Sequence, residues 1–81
     1  MSQDEHYRQC RFEQRVGDRV TGQETAWIPE HGAVVGKRVQ FLDEGAPAGV
    51  WTVVAVYERQ SKRYLTEHQM AYRHQREMSD I

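Results

Sequence analysis

The chain has one cysteine, Cys10, two prolines and no long apolar run. A single thiol can form no internal disulfide and cannot by itself complete a cysteine-based metal site. That usage fits a reducing compartment. No stretch approaches the ~20 consecutive apolar residues of a membrane-spanning helix. The opening residues, MSQDEHYRQ, lack the apolar centre of a secretory signal. The expectation is a cytoplasmic protein with no membrane partner. An excess of one charge is also missing: 11 Lys and Arg stand against 12 Asp and Glu, for a net charge of −1. A global balance near zero argues against a protein that coats DNA.

What is there is small. A chain of 81 residues is enough for one domain, 1–81, and no more. At this size folding hides little more than ~60% of the unfolded surface. The apolar fraction is 38%, so the core must lean on two tryptophans, four tyrosines and two phenylalanines. Each can bury about 150–250 Å². A homodimer that shares core residues is compatible with so small a core.

Segment 35–58, VGKRVQFLDEGAPAGVWTVVAVYE, organises the rest. It reads as two strands joined by a loop at Gly45, Pro47 and Gly49. The second strand has Trp51, Val53, Ala55 and Tyr57 on one face and Val50, Thr52, Val54 and Val56 on the other. A strand apolar on both faces belongs inside a sheet. Upstream, 1–9 is polar and reads as a loose tail or the lead-in to a first strand. From Cys10 the pattern alternates, with Cys10, Phe12, Gln14 and Val16 opposite Arg11, Glu13 and Arg15. Gly17-Asp18 supplies a type II′ hairpin turn. A return strand follows from Arg19 to Ile28, ended by Pro29, which cannot donate to the ladder, with Gly22 marking a bulge. Segment 33–35 fits either one helical turn or an extended lead-in.

After Tyr57 the period shifts towards 3.6. Ser61 suits a helix N-cap. Tyr64, Leu65, His68, Ala71, Tyr72, Gln75 and Met78 then share one face, and a mostly basic face lies opposite. Residues 59–76 carry five basic groups against one acidic group. The expected fold is α+β: a small antiparallel β-barrel or bent sheet of four to five strands over 10–58, SH3-like in size, with one C-terminal amphipathic helix over 61–78.

No pattern in the chain points to catalysis, a cofactor or a metal. His6, Cys10 and His31 form no paired ligand spacing. His68 and His74 are six residues apart, out of register on a helix. No nucleophile elbow, glycine-rich phosphate loop or H-E-x-x-H is present. Cys10, alternating with charged neighbours, reads as a small core residue. Tyr, Trp, Met and Arg are the residue types that anchor interfaces. Arg63, Met70, Arg73, Trp27, Lys37 and Arg38 are therefore the candidate partner-binding residues, with Tyr7, Arg11 and Arg15 behind them. Met70 stands out as an apolar residue on the charged helix face.

The order Cys10-Arg11, Ala26-Trp27-Ile28-Pro29-Glu30, Ala33-Val34-Val35-Gly36-Lys37, Val50-Trp51-Thr52-Val53, and Tyr72-Arg73 closing on Ser79-Asp80-Ile81 resembles small accessory proteins of tailed bacteriophages. The likeness covers about residues 9–81. It implies a setting, the cytoplasm of an infected bacterial host, and it implies no reaction and no functional residue. The expectation is a non-catalytic accessory protein that binds a host or phage protein as adaptor or inhibitor. A small barrel that binds nucleic acid through the basic helix face, and a virion or assembly component, are the alternatives.

Overall fold

Two long strands carry the structure. β1 (His6–Val16) and β4 (Val50–Ser61) pair antiparallel along most of their length. In the computed structural model, which describes residues 4–78, they form the middle of a five-stranded antiparallel sheet. β2 (Arg19–Pro29) flanks β1, β3 (Arg38–Phe41) flanks β4, and β5 (Gln75–Glu77) lies outside β3. The spatial order is β2-β1-β4-β3-β5. Single 3-10 turns occupy Glu30–Gly32 and Lys62–Tyr64.

The first hairpin forms as the sequence suggests. Val16 pairs with Arg19 across Gly17-Asp18, and Gly17 has φ 59°. That is the positive φ a type II′ turn needs at its first central residue. The β1–β2 register slips between Gln14 and Arg15, so Thr21 is the extra residue and Gly22 adjoins the bulge. Segment 34–37 is a turn in which the Lys37 N–H donates to the Val34 carbonyl (3.1 Å) and Gly36 has φ 93°.

β4 is internal, as its apolar character requires, but its faces do not alternate strictly. Phe12 pairs with Val53 and Arg11 with Ala55, which skips Val54. A second slip follows between Arg8 and Cys10. Each bulge reverses the face of what comes after it. Val56 therefore packs against the core with Val53, while Ala55 is half-buried and Tyr57 is exposed. β1 also starts earlier than expected. His6 to Gln9 belong to the strand, not to a loose tail, and Tyr7 is buried.

One face of the sheet holds the core: Cys10, Phe12, Ala26, Ile28, Val39, Phe41, Trp51 and Val53. Phe41 is its hub. Its ring meets Phe12 edge-on at 5.1 Å, Tyr72 at 5.5 Å and Trp51 at 6.1 Å. Such pairs add about 0.5–1.5 kcal/mol each beyond buried area. The Trp51 ring reaches over to Gly22, where an added Cβ would lie 2.8 Å from Cη2. The Trp51 indole N–H and the Gln14 amide both donate to the Ala48 carbonyl, at 3.1 and 3.0 Å. They tie the 42–49 loop to the hairpin.

The C-terminal helix over 61–78 does not form, and the α+β expectation gives way to an all-antiparallel sheet. Ser61, the expected N-cap, is the last residue of β4 and pairs with His6. Tyr64, placed on the inner helical face, is 69% exposed. One turn does begin downstream. Thr66 Oγ1 accepts from the Gln69 N–H (3.1 Å) while Gln69 Oε1 accepts from the Thr66 N–H (2.8 Å). This reciprocal pair is a capping box. It nucleates one turn, closed by the Met70 N–H donating to the Thr66 carbonyl at 3.2 Å. Propagation stops because Met70 is buried, Tyr72 is held on Phe41, and Gln75 to Glu77 are paired with β3. A short helix in isolation is marginal, and the long-range contacts outweigh it.

The sheet does not close into a barrel. β5 has three residues and β2 has eleven. At ~3.3 Å per residue they span about 10 and 36 Å, so β5 cannot satisfy the edge of β2. Among the described residues, β2 pairs only with β1 and β5 only with β3.

Trp51→Ala should cost about 3–5 kcal/mol, read as a lowered urea midpoint with the slope retained. Gly22→Val should also destabilise, because its side chain would occupy the volume of the Trp51 ring. An unchanged midpoint in both variants would contradict this packing.

Candidate functional site

β2 and the 3-10 turn after it lie across two hollows from the segment that leads into and forms β5. Between them runs a seam. At one end is an open groove of about 450 Å³, walled by Pro29, His31 and Gly32 on one side and by Arg73, His74, Gln75 and Glu77 on the other, with Lys37, Val39 and Leu42 between. A smaller hollow of about 190 Å³ lies further along, between Glu24 and Thr25 of β2 and His68, Gln69 and Tyr72.

Several contacts hold the β5 wall. The Leu42 N–H donates to the His74 carbonyl at 3.0 Å, and the Met78 N–H to the Arg38 carbonyl at 2.8 Å. Asp43 accepts from the His74 backbone N–H at 2.9 Å and lies 2.7 Å from its Nδ1. Burial alone would raise the Asp43 carboxyl. The side-chain and backbone hydrogen bonds of His74, helped by its charge and that of Arg73, outweigh it and hold the group below the usual carboxylate range. Arg76 reaches the Gln40 amide oxygen across the strand pair. The opposite wall is held by Glu30. Its Oε2 accepts from Arg59 Nε at 2.7 Å and Arg8 Nε at 3.2 Å. Arg8 and Arg59 face each other in the β1–β4 register, where like charges repel. Glu30 offsets that repulsion and pins the 3-10 turn beside the groove.

The cations of the groove are unevenly matched with their counter-ions. The Lys37 ammonium lies 3.5 Å from Glu77, with side chains 21% and 67% exposed. Arg73 lies 2.9 Å from Glu67, with side chains 28% and 83% exposed. The cations are sunk into the groove and the carboxylates stand largely in water. In the β5 wall, Gln75 Nε2 is buried with no hydrogen-bond partner among the described residues.

The structure brings two of the six candidate partner-binding residues together: Lys37 and Arg73 line the same groove. Met70 is not on a surface. It is 4% exposed, a core residue, because the helix that would have turned it outwards does not form. Tyr7, a secondary candidate, is 2% exposed. Arg63 is exposed on the 3-10 turn, hydrogen-bonded to Asp4 and 6.0 Å from the Tyr64 ring centroid. Arg38 is exposed at the start of β3, and Trp27 is half-buried on β2. These three lie outside the groove lining. Cys10 is fully buried, and burial pushes its thiol up to about 11, against a small opposing pull from Arg8. Among the described residues no helix is long and apolar enough to cross a membrane.

His31, Leu42, His74, Gln75 and Glu77 were not foreseen as site residues. They come from three segments that are remote in sequence, and no local spacing marks them. Comparison with protein-family models, curated proteins and solved structures finds no match in any of the three.

The Asp43–His74 contact makes a pH-dependent prediction. A carboxyl with a lowered folded-state pKa stabilises fully above its unfolded value, about 4, and that contribution is lost as pH falls through the folded value. The Tm gap between wild type and Asp43→Asn should be wide near neutrality and narrow on acidification below about pH 4. A gap that widened on acidification would show the sign to be wrong.

Proposed function

We propose that this chain is a non-catalytic accessory protein that docks on another protein. The observation that carries the reading is the seam. Among the described residues the two outer strands each keep one edge unpaired, and a groove with a mixed apolar and cationic lining lies between the end of β2 and β5. Unpaired edges and concave surfaces are where protein segments add to a sheet. Leu42, 57% exposed beside the groove, is the apolar contact such a partner needs.

The nucleic-acid reading rested on a basic helix face. With the helix gone its cations are dispersed: Arg63 is bonded to Asp4, Arg73 to Glu67 and Arg76 to Gln40. No continuous stripe for a phosphate backbone remains among them. The setting we favour is the one the sequence likeness implies, the cytoplasm of a bacterium infected by a tailed phage, with a host or phage protein as the partner.

The test is affinity capture from infected and uninfected bacterial lysates, with mass spectrometry of what is retained. Wild type and Val16→Asp, altered at the exposed hairpin tip, should hold the same protein. Leu42→Asp should lose it. Recovery of no stable protein partner, with salt-sensitive retention of DNA or RNA instead, would reverse the reading.

A further inference from the structure

We propose that the groove between the outer strands receives an acidic peptide segment, one carboxylate seated between Lys37 and Arg73 with an apolar neighbour against Leu42 and Pro29. This rests on the reading of the chain as a protein-docking module and names the chemistry of its partner.

Three independent observations converge. The first is the burial asymmetry of the ion pairs. Lys37 and Arg73 are 21% and 28% exposed, while their partners Glu77 and Glu67 are 67% and 83% exposed. Carboxylates so far into water screen a sunken cation poorly, and pairs of this kind are worth little. Each cation is already paired, so the exposed Glu77 and Glu67 are the partners that an incoming carboxylate displaces, at little cost. A ligand carboxylate inside the groove would bind the same cations with less water between them. Arg73 can offer it a charge-assisted hydrogen bond, and Lys37 a point charge.

The second observation is Gln75. Its Nε2 is fully buried under the groove wall with no acceptor among the described residues. Buried donors are nearly always bonded. The last torsion of glutamine is soft, so an incoming oxygen can draw this donor out and satisfy it. The third is the apolar part of the lining, Pro29, Val39 and Leu42. A volume of about 450 Å³ lies in the range of pockets that enclose a compact ligand or a few side chains.

The same features favour a peptide over a nucleic acid. Glu77 stands in the lining, 3.5 Å from the Lys37 ammonium; one carboxylate has only to exchange with it, whereas a run of phosphates adds several charges beside it. The chain's net charge of −1 gives no long-range pull on a polyanion.

The experiment is an NMR titration of the full ¹⁵N-labelled chain with three probes: a short peptide alternating Glu and Leu, its Gln-for-Glu counterpart, and a single-stranded oligonucleotide. The acidic peptide should shift the Gln75 side-chain amide and the backbone signals of Leu42 and His74. Its affinity should fall on the order of tenfold in Arg73→Gln and in Lys37→Gln, and stay unchanged in Arg15→Gln on the distant hairpin. Lys37→Gln removes a pair with an exposed carboxylate, and Arg73→Gln removes such a pair together with a hydrogen bond to the Met70 carbonyl (3.2 Å), so native dispersion of the spectra is checked in each variant before the titration. Equal shifts from the neutral peptide would overturn the role of the carboxylate. Tighter binding of the oligonucleotide at the same signals would overturn the peptide assignment. If no acidic peptide binds while Leu42→Asp still abolishes capture of a protein partner, the docking reading stands and this chemistry fails.

Discussion

The antiparallel pairing of β1 with β4 is the constraint on which the rest of the molecule depends. It joins residues up to 55 positions apart, His6 with Ser61, so its loop-closure cost is met only by long-range burial. Phe12, Val53 and Cys10 lie along this pairing and are fully buried. β2 and β3 attach to it as hairpin partners on either side, and β5 follows β3. The two slips in its register bend β4, and the bend starts to bring the ends of the sheet round.

The pairing also decides what the chain beyond Tyr57 can become. Because β4 continues to Ser61, the residues expected to open a helix are already committed to a strand. The chain then has residues 62–74 in which to cross back and pair with β3. It does so with a 3-10 turn, a capped single turn and a short strand. β5 is too brief to meet β2, and the seam with its groove is the direct consequence.

The groove's chemistry comes from the same geometry. Lys37 precedes β3 and Arg73 precedes β5, so both cations are carried in by backbone that is anchored elsewhere, Lys37 through the Val53 N–H and Arg73 through the neighbouring Asp43–His74 contact. Their stems lie against protein while Glu77 and Glu67 remain in water. The asymmetry follows from fixing the cations on a curled inner surface and their partners on its rim.

Local pattern was enough for the hairpin at Gly17-Asp18, for the bulge near Gly22, for the loop at Gly45 and Gly49, and for the internal position of β4. Each depends on neighbours in sequence: a glycine at positive φ, or an uninterrupted apolar run. Ser61 was the expected N-cap; the Thr66 and Gln69 capping pair emerges only in the structure and marks one turn, not the long helix that the 3.6-residue spacing suggested. Two of the six candidate partner residues reached the groove, and Met70 went to the core, because side-chain type cannot tell which way a residue faces once its element is wrong.

By itself the amino-acid sequence determined a small, β-rich chain with near-neutral charge and one buried thiol, since composition and alternation act locally. The tertiary structure alone decided that the tail pairs as a strand, that the sheet stays open, and that Lys37, Arg73 and Gln75 meet. Those outcomes are set by competition between a marginal helix and distant hydrogen-bonding partners, and that competition is resolved only when the whole sheet is assembled.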